Sequence, residues 1–387
     1  MKILTVLTYY RPHTSGLTIY VERLAKSLVK LGHEVTVLTS QYEKDLPREE
    51  IVDGVRIIRV PVWFRVSKGV IMPTFGLWAW KLVASHDVVH LHLPQFDAAG
   101  VALRGKILGK PTLITYHCDL LLPRSIINRL INFVVHLMNH LAGILADRVC
   151  AYTDDFAAHS PYLLRYADKL EVIYPPVVMP EVAQQAVTDF QERVNPEKLS
   201  PVIGMATRFA SEKGVEILLK SLPIVMEEFP DTKVLYAGQY QDVMGEGQYL
   251  QRLLPTIQTY QEQNRWEFLG VLNQEEMALF YSCLDVLVVP SLNSTETFGL
   301  VQIEAMIRGT PSIASNLPGV RVPPRLTGMG EVVPIGDSQA LGEAILKIVK
   351  EPEYYLREEN EVAEMFDPLV NAAAYEELYT SLLEGRS

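Results

Sequence analysis

The chain has 387 residues, 48% of them apolar and 21% charged, a globular composition long enough for two domains and unlike a disordered or low-complexity segment. Its net charge is −11, and no dense Lys/Arg cluster with interleaved aromatics occurs, which argues against a nucleic-acid partner. The three cysteines, Cys118, Cys150 and Cys283, are scattered and form no CxxC pair or Cys/His ligand set, so a reducing compartment is expected and a disulfide framework or structural zinc is not.

The N-terminal MKILTVLTYY reads as a first strand, because its apolar run is too short for a signal peptide. A cytoplasmic protein is expected, and no stretch approaches the roughly 20 uninterrupted apolar residues of a membrane span. The following loop, TYYRPHTSG, sets Gly16 just before a helix, TIYVERLAKSLVKLG, that stops at Lys30 and Gly32. Glycine there would let the backbone approach a phosphate, although a lone loop glycine is more often only a turn. The absence of G-x-G-x-x-G after this strand counts against a dinucleotide-binding oxidoreductase.

The segments EVTVLT, DVVHLH, TLITYH and RVCAYT continue an alternation of β-branched runs and amphipathic stretches that implies a parallel sheet. His90 and His92 share one strand face with no third ligand nearby, so no metal site is expected. His117 stands at the carboxyl end of its strand, before Asp119, where a functional and a structural histidine fit equally well.

Two stretches of this first half suit a membrane surface. One, VWFRVSKGVIMPTFGLWAWK, mixes Trp63, Phe64, Trp78 and Trp80 with Arg65, Lys68 and Lys81. The other, PRSIINRLINFVVHLMNHLAGIL, sets Ile127, Leu130, Ile131, Val134, Met138 and Leu141 on one helical stripe. The same residues would serve as core and as a packed aromatic loop. Residues 1–178 carry 20 Lys+Arg against 15 Asp+Glu, and the remainder carries 15 against 31. The first half is therefore the side expected to meet an anionic lipid or substrate.

Around residues 174–200 the alternation breaks into YPPVVMPEVAQQ and a polar stretch that reads as a linker. A second series follows: PVIGMATR, KVLYAGQ, WEFLGVL, DVLVVPS, TPSIASN and GEVVPIG, with Asn273 and Glu276 forming a capping box before QEEMALFYSC. The expected organisation is two doubly wound α/β domains, 1–178 and 201–367, with a linker at 179–200. A C-terminal helix at 368–387 would complete the first domain. In such sheets ligands bind beyond the carboxyl ends of the strands, here in a cleft between facing domains.

Two cations follow the strand PVIGMATR: Arg208 at its end and Lys213 just before a helix. Together with that helix start they suit a pyrophosphate, though a solvated surface loop would look the same. In STETFGLVQIEAM, Glu296 and Glu304 bracket Gly299. Since glycine costs about 1 kcal/mol in a helix interior, the helix is expected to start near Gly299, with free N–H groups between the two acids. No nucleophile elbow or P-loop is present.

Glu296 and Glu304 with seven residues between them, FG in the loop and EAM on the helix resemble the E-x7-E motif of retaining glycosyltransferases of family four, which have the GT-B fold of two Rossmann-like domains. Gly16, His117, Arg208, Lys213-Gly214 and FLGVLNQEEM stand in the family's order, so the resemblance spans nearly the whole chain. It departs at Ser15, where many members have a second glycine, and at IYPPVV, where many have Pro-Asn-Gly.

The resemblance implies that Glu304 holds the ribose of a UDP-, GDP- or ADP-sugar, and that Arg208 and Lys213 hold its pyrophosphate. Glu296 would bind hydroxyls of the transferred sugar, and the N–H groups of Phe298, Gly299 and Leu300 would face sugar and phosphate. His117 would lie near the reacting sugar and Gly16 near the phosphates. It further implies metal-independent hexose transfer, with retention, to a glycan or lipid-linked acceptor. A sugar-nucleotide epimerase or hydrolase, or a non-catalytic nucleotide-sugar-binding protein, would use the same donor site.

Overall fold

The computed structural model describes residues 1–66, 69–119, 126–357 and 359–385. The chain divides into two units, one of Met1–Pro176 with the segment from Phe366 on, the other Val177–Met365.

In the first unit the strands are β1 (Lys2–Val6), β2 (Glu34–Gln41), β3 (Glu49–Val52), β4 (Val55–Pro61), β5 (Phe64–Val66), β6 (Gly69–Ile71), β7 (Val88–Leu93), β8 (Thr112–Tyr116), β9 (Arg148–Ala151) and β10 (Leu170–Val172). Its helices are α1 (Gly16–Lys30), α2 (Phe75–Ser85), α3 (Ala98–Ile107), α4 (Ile126–Leu145), the short α5 (Asp154–Ala157) and, from the end of the chain, α15 (Pro368–Glu384). Eight strands form one sheet in the order β10-β9-β8-β7-β1-β2-β4-β3, and β5 and β6 form a separate hairpin. Every residue of β7 and β8 is buried, as expected for parallel strands covered on both faces. Helix α15 packs on α1, and the Tyr20 and Tyr375 hydroxyls meet at 2.7 Å.

The second unit holds β11 (Val202–Ala206), β12 (Lys233–Ala237), β13 (Trp266–Gly270), β14 (Val286–Val289), β15 (Ser312–Ser315) and β16 (Gly330–Val333), all parallel in the order β13-β12-β11-β14-β15-β16. Its helices are α6 (Gln184–Val194), α7 (Val215–Glu228), α8 (Gly247–Glu262), α9 (Gln274–Ser282), α10 (Leu300–Ile307), α11 (Val322–Thr327), α12 (Ser338–Lys350), α13 (Pro352–Tyr355) and α14 (Glu359–Met365). Strand order reverses between β1 and β7 in the first sheet and between β11 and β14 in the second. At such a switch point the loops on either side diverge and leave a crevice for a ligand.

Three expectations need correction. The segment read as linker contains α6, which packs on α9 in the second unit and buries Val187, Phe190 and Val194; the polar residues between these three masked a one-sided apolar helix. Gly16 is the first residue of α1 rather than the loop residue before it. Ser15 is the N-cap, and its side chain accepts from the Thr18 N–H in a reciprocal capping box. The apolar stripe of α4 is also divided: Leu130 and Leu141 are exposed, together with Phe133, Leu137 and Ile144, Ile131, Val134 and Met138 are half-buried, and the side chains of Lys68 and Ile127 lie outside the described residues.

Candidate functional site

The β11–β14 switch point carries most of the expected site within the second unit. Beyond β11 the chain passes Arg208, makes a short turn over Ser211–Lys213, and enters α7 through Gly214 in the left-handed region, at φ +74°. A Cβ on Gly214 would lie 2.1 Å from the Pro290 carbonyl oxygen, just past β14. The backbone of the two loops is also tied where the Leu292 N–H donates to the Glu212 carbonyl at 2.8 Å.

This close approach brings two residues 83 positions apart into an ion pair: Lys213 Nζ lies 2.6 Å from Glu296 Oε2, with both side chains largely shielded from solvent. Arg208 pairs with Glu212 in the same turn, a partner that sequence reading missed. Two cations thus face the switch point, each oriented by a carboxylate.

Helix α10 starts where the glycine indicated. Gly299 is its N-cap, at φ +75°, and no side chain caps it, so the positive end of the helix is open at this turn. The turn is held from below by Gln302, whose amide donates to the carbonyls of Phe298 and Val320, both at 2.9 Å, and accepts from the Ser312 hydroxyl at 2.9 Å. Phe298 is fully buried, anchoring the loop, and Leu300 is half-buried. Glu304, on the second turn, is 8% exposed and accepts from the Tyr281 hydroxyl at 3.0 Å. Gln302 and Tyr281 were not singled out in the sequence; their spacing on α10 and α9 carries no signal until the strand order is known.

His117 and Gly16 belong to the first unit. The His117 ring is 5% exposed and hydrogen-bonded at both nitrogens, Nε2 to His92 Nδ1 at 2.9 Å and Nδ1 to the Tyr152 hydroxyl. Burial lowers its pKa to about 3, and that of His90 likewise to about 3. His92 is pushed down too, by burial and then by its two neighbours. The His90/His92 pair thus gains a hydrogen-bonded neighbour, His117, from just beyond the adjacent strand. Among the described residues, no group of three or more His, Cys, Asp or Glu is placed to hold a metal ion.

Family models match both units. The model for glycosyl transferases group 1 covers residues 187–364, and the model for a glycosyl transferase 4-like domain covers residues 15–176. Among curated relatives, an uncharacterised glycosyltransferase of Methanocaldococcus jannaschii is 26% identical, over 83% of this chain and 82% of its own length. A phosphatidyl-myo-inositol mannosyltransferase of Mycobacterium leprae is also 26% identical, over 90% of this chain and 88% of its own. The crystal structure of HepE from Anabaena in complex with UDP matches with a TM-score of 0.76 at 18% identity, covering 98% of this chain and all of HepE. Two family models that together span most of the sequence, and solved relatives with the same pair of α/β units, lead to one conclusion: this chain belongs to the family-four glycosyltransferases and has the GT-B fold.

Proposed function

We propose that the chain transfers a hexose-type sugar from a nucleoside-diphosphate sugar to an acceptor hydroxyl, with retention at the anomeric carbon and without a metal. The carrying observation is the Lys213–Glu296 ion pair at 2.6 Å beside the open start of α10, with Arg208 on the same strand-end loop. A ligand with phosphates and sugar hydroxyls side by side matches that set. The phosphates find a mobile ammonium, a guanidinium fork and backbone N–H groups, and the hydroxyls find a carboxylate.

In this assignment Glu304 holds the ribose, with Tyr281 fixing the carboxylate. Arg208 and Lys213 take the pyrophosphate, Glu296 the hydroxyls of the transferred sugar, and the N–H groups of Phe298, Gly299 and Leu300 the phosphate and sugar between them. As the anomeric C–O bond breaks, its electrons go to the leaving phosphate, and the cations and helix N-terminus stabilise that charge. The acceptor oxygen bonds to the anomeric carbon on the same face, and its proton passes to a phosphate oxygen. On the family resemblance, His117 stands on the sugar's side of the reaction and Gly16 on that of the phosphates.

The relative from Mycobacterium leprae is named for a lipid acceptor, and we assign this chain a lipid-linked or glycan acceptor. The enzyme would be cytoplasmic and peripheral on the inner membrane face. Trp63, Phe64, Leu77 and Trp80 of the first unit are exposed, as is the α4 stripe, while among the described residues no helix is long and apolar enough to cross a bilayer.

A thermal-shift panel of UDP, GDP, ADP and their sugar conjugates, run in chelator, tests the donor assignment, since a ligand bound only by the folded state raises the melting temperature. One nucleotide and its sugars should stabilise the protein, and Glu304→Ala should lose most of that shift. No shift with any nucleotide, or an unchanged shift in Glu304→Ala, would overturn it.

A further inference from the structure

The buried end of β7 has more chemistry than the donor site uses. His92 is 1% exposed, and its Nδ1 lies 2.9 Å from His117 Nε2 on the neighbouring strand. Its other nitrogen, Nε2, is buried with no hydrogen-bond partner. The Tyr20 ring stands edge-on to His117, centroids 5.0 Å apart, and Tyr152 engages His117 Nδ1.

These contacts set the direction of the protons. A neutral imidazole carries one N–H. If His92 carried it on Nε2, a buried donor would go unpaired, which is costly; a bare nitrogen lone pair in the same place costs less. The proton therefore sits on His92 Nδ1 and is donated to His117 Nε2. His117 must then carry its own proton on Nδ1 and donate it to the Tyr152 oxygen.

We propose that His92 is a positioning residue that locks His117 in the Nδ1–H tautomer, neutral and with its ring orientation fixed, so that His117 shapes the reacting sugar's surroundings without taking the acceptor's proton. The role in turnover rests on placing His117 beside the sugar; the tautomer does not. Thr115 and Tyr379 of α15 brace the arrangement: the His90 ring lies tilted against that of His92, centroids 4.2 Å apart, and is held by Thr115 and Tyr379, each at 2.7 Å.

The test begins with long-range proton–nitrogen NMR of the full chain, ring-labelled at histidine, at pH 7. His117 should show a protonated Nδ1 and a bare Nε2; the opposite pattern overturns the proposal. In His92→Phe the His117 signal should shift toward the other tautomer, and turnover of the UDP- or GDP-sugar giving the largest thermal shift should lose kcat on the order of tenfold or more, with its KM little changed. His92→Asn, which sets an amide N–H near the position of Nδ1, should recover most of that loss. A folded His92→Phe protein with wild-type kcat and an unchanged His117 signal refutes the lock. Full turnover in His117→Ala would instead remove His117 from the reaction and leave the tautomer result standing.

Discussion

A single glycine controls how closely the donor-site loops meet. Gly214 sits at φ +74°, and any Cβ there would lie 2.1 Å from the Pro290 carbonyl oxygen. Alanine would meet a left-handed backbone cost of about 1–2 kcal/mol and would also force the β14 loop away, because its obstacle is main chain and cannot rotate aside. Gly214→Ala should thus lower the stability of the second unit by about 2 kcal/mol or more and weaken nucleotide binding, as Lys213 and Glu296 are drawn apart. Chemical unfolding and a nucleotide titration check both effects; an alanine variant that keeps wild-type affinity would show that the close approach is dispensable. At this scale the sequence spoke clearly only where the chain is local. Glu296, Gly299 and Glu304 announced a helix start by a glycine between acids, and the helix does start there. The Lys213–Glu296 and Tyr281–Glu304 pairings were silent, since each depends on which elements become neighbours.

Strands were the most legible elements, because fully buried parallel strands are rich in β-branched and apolar residues, as in the continuous VLVV of β14. Polar α6 was lost inside a Pro-rich segment, and the histidines of β7 were read as an isolated pair because register with β8 cannot be seen along one chain. That register has a thermodynamic consequence. His90 and His117 titrate near pH 3 in the fold, and His92 is also well depressed, against about 6.5 when unfolded. Below pH 6.5 the unfolded chain takes up protons that the folded one refuses, so stability is greatest above that pH and falls on acidification toward 3. Each ring contributes a slope of up to about 1.4 kcal/mol per pH unit. Asp97, raised by burial to about 6, works the other way, since its stabilising effect grows as pH falls through 6, but it is one group against these three and against His13, His33 and His86, which burial also lowers. The unfolding free energy of the first unit should therefore drop between pH 7 and pH 5 by on the order of several kcal/mol, seen as a lower denaturant midpoint. An unchanged midpoint would mean that these imidazoles are protonated in the fold.

Over the whole molecule, charge and apolar exposure fall on the same part of the chain. Residues 1–178 hold an excess of five cations, and the remainder an excess of sixteen anions. Helix α4 lies in the first part, burying Asn139, Ala142 and Gly143 while leaving Phe133 65% and Leu130 65% exposed. A helix that buries an amide while leaving Leu130, Phe133, Leu137, Leu141 and Ile144 exposed shows an apolar face that is unfavourable for a molecule surrounded only by water. An anionic bilayer would reverse that balance. Its interface accepts the exposed Leu and Phe at about 0.8 kcal/mol per buried methylene, and its surface potential attracts the basic part and repels the acidic one within a Debye length of about 8 Å. Vesicles of phosphatidylglycerol and phosphatidylcholine should therefore carry the protein upward in a flotation gradient, less so in high salt. Phe133→Glu combined with Leu137→Glu should abolish flotation while leaving the nucleotide-induced thermal shift intact, because neither residue belongs to the donor site. A wild-type protein that stays at the bottom of the gradient would remove the membrane from the proposed reaction and leave a water-borne glycan as the acceptor.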